Sequence, residues 1–176
     1  MKTWILVPAA AALFAACAAP PAPAPVPASL RAAGERAAFT LFARGVQIYE
    51  CKASAAGSSA APAWAFVAPE AELFEKSGGA AVGTHGEGPF WRAADGSQII
   101  GSVQARADAP AAGAIPWLLL SALPTTAPGR MAAVSSVQRI HTSGGTAPSS
   151  GCTPAELGKR ARVPYTSDYV FFEKAG

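Results

Sequence analysis

Three features of this sequence predict an all-β fold, a single-domain β-sandwich or β-barrel with short helical additions and one disulfide. Its apolar segments are short and broken by Gly or Pro roughly every ten residues. Several alternate with a period of two, as half-buried strands do. One carries an Asp-Gly pair, Asp95-Gly96, between two apolar runs, where a tight hairpin turn needs positive φ angles. In chain order, a short helix is expected from Leu30 to Ala38. In GVQIYEC, Val46 and Ile48 fall on one face and Gln47, Tyr49 and Cys51 on the other, and AWAFV places Trp64 and Phe66 on one face. FWRAADGSQIIGSV reads as a hairpin. IPWLLLSAL, residues 115–123, begins its apolar run at Pro116 and reads as a buried central strand. SSVQRIHT and DYVFFEK supply two further strands, although Val134, Val137 and Ile140 recur at intervals of three and leave a helix open over Met131 to Ile140.

The N-terminus carries a different signal. Lys2, the apolar run Trp4 to Ala16 and small residues leading to Cys17 form an export signal. The run is too short to span a bilayer, which needs about 20 residues. LFAAC resembles the lipobox cleaved by lipoprotein signal peptidase, with Phe14 where an aliphatic residue is usual. The expected organisation is a signal peptide over 1–16, lipidation of Cys17, a Pro/Ala tether over 17–29 and one β-rich domain over 30–176. Cleavage by an ordinary signal peptidase, giving a secreted or periplasmic protein, and retention of an uncleaved anchor are the alternatives. Ala18 after the anchor resembles the sorting signal for the outer membrane, so the envelope is the expected location and the membrane, through Cys17, an expected partner.

Composition limits the function classes. With 51% hydrophobic and 14% charged residues the chain can bury a real core. A net charge of +3 is too small to suggest nucleic acid as a partner. The cluster Lys159, Arg160 and Arg162 reads as a solvated turn. Lipidation of Cys17 leaves Cys51 and Cys152, which in an oxidising compartment pair with each other; two buried free thiols are the alternative.

The ordered blocks GVQIYEC, Trp64, PEAEL, VGTHGEGPFW, DGS, IPWLLL, VQRIHTSGG, GC and VPYTSDYVFF resemble the domain-of-unknown-function family 3455 of secreted bacterial and fungal proteins, from Gly45 to Phe172. The resemblance implies an exported domain with paired cysteines and supplies no catalytic residues. The anchor and Tyr49-Glu50-Cys51 are also similar to membrane-bound inhibitors of c-type lysozyme, small β-barrels that plug an enzyme cleft.

Most catalytic motifs are missing. Only His85 and His141 are available as imidazoles, there is no H-E-x-x-H or paired C-x-x-C, and His85-Gly86-Glu87 lacks the P-C-x-x-C of a zinc deaminase. Gly83, Gly86 and Gly88 do not form a dinucleotide fingerprint, Gly151 to Lys159 is not a phosphate loop, and Gly57 to Ala61 is no nucleophile elbow. No metal or cofactor is implied. What remains is a loose polar and aromatic set, His85, Glu87, Trp91, Asp95, Gln138, Arg139, His141, Tyr165 and Asp168. The candidates for ligand binding are His85, Glu87, Trp91, Gln138, Arg139 and His141, in a pocket near Gly83 to Trp91, with a small molecule or saccharide as ligand. Trp64, Trp91 and Trp117 suit a sugar, an apolar pocket or a core. A binding or structural module is the favoured reading. A cofactor-independent hydrolase using His85 or His141, with Asp95 or Asp168 orienting the ring, is the alternative.

Overall fold

The computed structural model describes residues 24–54, 61–125 and 128–176. The expected signal peptide, Cys17, the first part of the tether and the loop from Gly57 to Ala60 lie outside these residues. The described chain forms eight strands: β1 (Glu35–Lys52), β2 (Ala63–Phe74), β3 (Ala81–Gly86), β4 (Phe90–Ala93), β5 (Gln98–Ala107), β6 (Trp117–Pro124), β7 (Val134–Gly144) and β8 (Arg160–Lys174). Each pairs with the next, and β8 returns to β1, closing a barrel. All pairs are antiparallel.

Closure depends on β1, whose 18 residues pair with β8 from Glu35 and with β2 from Phe42 onward. Register shifts at Ala37/Phe39 and Ile48/Tyr49 bend this strand as it passes from one partner to the other. Alternation then divides the side chains. Along β8, Tyr165, Ser167, Tyr169 and Phe171 are buried and point inward, while Asp168 and Val170 lie on the outer wall. The Asp95-Gly96 hairpin forms between β4 and β5, with Gly96 at φ +86°. Asp95 is the turn residue there and more: Oδ1 accepts from the backbone and hydroxyl of Ser97, and Oδ2 accepts from the backbone N–H of Arg130. Hydrogen bonds from the Ser97 side chain and from the backbones of Arg130 and Ser97 lower its pKa.

One expectation of helix is corrected, and the helical alternative over Met131 to Ile140 gives way to the expected strand. Before the barrel there is only a three-residue 3₁₀ turn, Ala28–Leu30, and the stretch through Ala38 enters β1, because pairing with β8 outweighs the modest helical preference of its Ala, Arg and Glu residues. The region Met131 to Ile140 enters β7. Its three-residue spacing arises from a bulge between Val134 and Ser136, which lets Val134 and Val137 both face the core, while Ile140 faces outward.

One end of the barrel is packed. Leu41, Leu73, Ile99, Met131, Val134 and Phe171 are buried there, and Met131 enters from the β6–β7 connection with its N–H donating to Ser97 Oγ. A second apolar cluster sits on the outer wall, where Leu30 packs with Trp117 and Ile140. Ala24, Val26, Ala105, Ala107 and Val170 surround it, and Gln138 Nε2 donates to the Leu30 carbonyl at 2.6 Å. The chain ahead of β1 is thus fastened along the outside of the barrel.

Cys51 and Cys152 form a disulfide. It joins the end of β1 to the β7–β8 connection, which is also held by Cys51 N–H donating to the Lys159 carbonyl and Gly158 N–H donating to the Cys51 carbonyl. Crosslinking a loop of about 100 residues stabilises by roughly 4 kcal/mol through the unfolded state. Cys51→Ser should lower unfolding free energy by about that amount and leave Cys152 reactive towards thiol reagents. An unchanged denaturant midpoint would contradict this assignment.

Candidate functional site

At the end opposite the packed core, where β1, β3, β5 and β7 finish, the interior is not filled. A cavity of about 550 Å³ occupies it, and every strand contributes to its lining. Gln47 and Tyr49 come from β1, Phe66 and Pro69 from β2, His85 from β3, Trp91 from β4, Val103 and Arg106 from β5, Leu118 and Leu120 from β6, Arg139 from β7 and Tyr169 from β8. The floor is aromatic. The His85 ring stacks on Trp91 with centroids 4.5 Å apart and meets Tyr169 edge-on at 5.0 Å. Trp91 spreads across Gly101, where an added Cβ would lie 2.7 Å from the indole, so only glycine leaves room for the ring.

The polar groups are few. His85 Nδ1 lies 2.7 Å from the Phe90 carbonyl, which can only accept, so this nitrogen carries the hydrogen and Nε2 is left as an acceptor. Burial, assisted by the charge of Arg139, pushes the His85 pKa down to about 3, and the ring is neutral. Arg139 donates Nε–H and Nη2–H to the Pro116 carbonyl at 3.1 and 2.8 Å, which fixes the guanidinium beside the rim. Tyr49 donates its hydroxyl to the Gly145 carbonyl at 2.6 Å, and burial raises its pKa. Burial also raises the pKa of Tyr165, whose hydroxyl lies 3.4 Å from that of Tyr169. Among the described residues, two buried nitrogens of the lining, Gln47 Nε2 and Trp91 Nε1, have no hydrogen-bond partner of good geometry, although the Gln47 amide lies close enough to the Tyr165 hydroxyl to lower its pKa against the larger effect of burial.

A sequence model of the family described as "Protein of unknown function (DUF3455)" matches residues 32–173, which takes in all but the edges of the barrel and its cavity. The chain belongs to the DUF3455 family. No curated protein and no solved structure matches it. The site of this DUF3455 barrel is therefore read from its own side chains.

Of the six candidates drawn from the sequence, His85, Trp91 and Arg139 line the cavity together. The other three lie elsewhere. Glu87 is exposed in the turn between β3 and β4. Gln138 is turned to the outer wall, where it holds Leu30. His141, at φ +50° in the β7 bulge, faces outward, with Nδ1 2.9 Å from Asp168 Oδ2 and its ring edge-on to Trp117 at 5.5 Å. The wall of the barrel thus separates the two histidines, and Asp95 lies at the packed end, far along the strand from His85. Trp64 faces the same side as Phe66, opposite Cys51 and Tyr49 in register, and donates Nε1–H to the Ser150 carbonyl in the rim.

Sequence reasoning did not select Gln47, Tyr49, Phe66, Leu118 or Tyr169. A signal for the first two was present. In GVQIYEC the face opposite Val46 and Ile48 is the one turned inward, so the more polar side of the strand faces a cavity rather than solvent.

Because the unfolded ring titrates near 6.5 and the folded one near 3, the unfolded chain binds a proton that the folded one refuses. Stability from His85 is complete above about pH 6.5 and falls as pH drops towards 3, by up to about 1.4 kcal/mol per unit. His85→Gln should flatten the difference between urea unfolding at pH 7 and at pH 4.5 relative to the parent. Parallel pH profiles for the two proteins would refute a buried neutral ring.

Proposed function

We propose that this chain is an exported envelope protein, held to a membrane through lipidated Cys17, whose barrel binds one small and largely apolar ligand in its open end. The cavity carries this reading. Eight-stranded barrels enclose just enough space for side chains or for one small molecule, and here one end is filled by Met131 and its neighbours while the other keeps about 550 Å³. Aromatic and aliphatic walls with a small number of placed polar groups are the usual make-up of a ligand site. The export signal and Cys17 supply the location, and oxidation of Cys51 and Cys152 agrees with a compartment outside the cytosol.

Hydrolysis is the second reading, and the His141–Asp168 pair is the observation in its favour. The pair lies on the outer wall and neither residue lines the cavity. His85 is poorly suited to act as a base, since charging the ring is opposed by burial. Lysozyme inhibition draws on Tyr49-Glu50-Cys51, but Tyr49 is turned into the barrel and bonded to Gly145.

Titration with the neutral apolar fluorophore N-phenyl-1-naphthylamine tests the cavity. Micromolar binding is expected, weakened about tenfold or more by Val103→Trp, which blocks the open end from an exposed position without entering the core. Absence of binding by the parent protein would sink the reading. For location, Cys17→Ser should move the protein from the membrane fraction to the soluble fraction, and continued sedimentation with membranes would exclude the lipid anchor.

A further inference from the structure

The character of the groups around the cavity narrows its occupant beyond "apolar". Arg106 and Arg139 line it and, among the described residues, no Asp or Glu does, so the space is electropositive. Gln47 is 2% exposed and Trp91 1%, and each holds a buried nitrogen that, among the described residues, has no hydrogen-bond partner of good geometry. Both nitrogens are donors. Buried donors without partners are costly, and an occupant bearing acceptor oxygens relieves them. Among the described residues, the guanidinium of Arg139 engages two of its five N–H donors, both on Pro116. Beyond these groups the walls are Phe66, Val103, Leu118 and Leu120, which offer nothing but apolar surface.

The open end also carries a clue to where such a molecule comes from. Phe66 is 55% exposed and Val103 54%, both at the entrance, and Leu157 of the adjoining β7–β8 connection is 49% exposed, while Ile100 and Leu123 form a separate exposed pair on the outer wall nearer the packed end. Ala24 and Val26 pack in the outer cluster with Ala107 and Ala109, where β5 reaches the same end. Cys17 precedes Ala24 by only seven residues. A lipid on Cys17 would therefore hold the entrance, rather than the packed end, towards the bilayer.

We infer that the occupant is an anionic single-chain amphiphile of the fatty-acid class, drawn from the membrane that the barrel entrance faces, its carboxylate meeting Arg139 and Gln47 and its chain covering the apolar wall. This rests on the reading of the barrel as a binding module, and the two fail separately. The full-length protein, loaded with N-phenyl-1-naphthylamine, is titrated with oleate and with oleyl alcohol, which differ only in the headgroup. Oleate should displace the fluorophore about tenfold or more tightly than the alcohol, as expected for a charge-assisted contact. Arg139→Gln should bring the oleate-to-alcohol displacement ratio close to one, a ratio in which any change in fluorophore affinity cancels, and Arg139→Lys, which keeps the charge, should retain the preference for oleate; an undiminished preference in Arg139→Gln overturns the carboxylate contact. Equal displacement by the acid and the alcohol overturns the anionic headgroup but leaves the cavity reading intact; failure to bind the fluorophore at all overturns the cavity reading itself. For the source, a fluorophore on Leu157→Cys and another on Lys76→Cys, in the turn at the packed end, are compared with the anchored protein on phosphatidylethanolamine and phosphatidylglycerol vesicles. Nitroxide lipids should quench the Leu157 site more strongly, and equal or reversed quenching overturns uptake from the bilayer.

Discussion

Closure of the sheet through β1 is the constraint on which the remaining structure depends. Because β1 is long enough to pair with both β2 and β8, the sheet closes on itself, and the alternation of every strand is divided into an inside and an outside. Once the inside is defined, its volume must be filled or left open. Large residues fill one end, where Met131 is driven in from a connecting segment and held by Ser97 and Asp95. At the other end the side chains lean against the wall. Trp91 lies flat over Gly101, and Arg139 is pulled to the Pro116 carbonyl, so the centre stays empty.

The same closure determines which polar groups matter. Inward positions that would be wet on an open sheet are shut away from water, and each must find a partner or remain unpaired at a cost. Tyr49 and His85 solve this with backbone carbonyls of the rim and of β4. Gln47 and Trp91 do not. The electrical character of the cavity follows from this division, with neutral rings at the floor, positive charge at the side and no carboxylate in the lining. The disulfide belongs to the same region, since it ties the rim connection that receives Tyr49 and Trp64 to the end of β1.

Much of the fold was legible because its signals are local. Period-two alternation in GVQIYEC, the Asp95-Gly96 turn and the runs IPWLLLSAL and DYVFFEK each mark a strand or a hairpin without reference to distant residues, and all appear as strands or as the hairpin, although β6 is buried at Trp117 and Leu120 rather than throughout. Helix was misread in one place and left open in another, and in both the local pattern was overridden. At Leu30 to Ala38 the competing force was pairing with β8, more than a hundred residues away; at Met131 to Ile140 it was a bulge that copied a helical spacing. Half of the candidate site was legible in the same sense. His85, Trp91 and Arg139 stand out as chemically unusual residues in apolar blocks, but nothing nearby distinguishes them from Glu87, Gln138 or His141.

The sequence by itself determined the strand content, the central hairpin, the paired cysteines and the membership of a family, because these rest on neighbouring residues or on chemical type. Only the tertiary structure decided that the sheet closes, that one end of the barrel is full and the other empty, and that His85 and His141 stand on opposite sides of the wall. The reason is geometric. The facing of a strand is a choice between two equivalent sides until its partners curl around it, and one residue of bulge reverses that choice for every residue that follows.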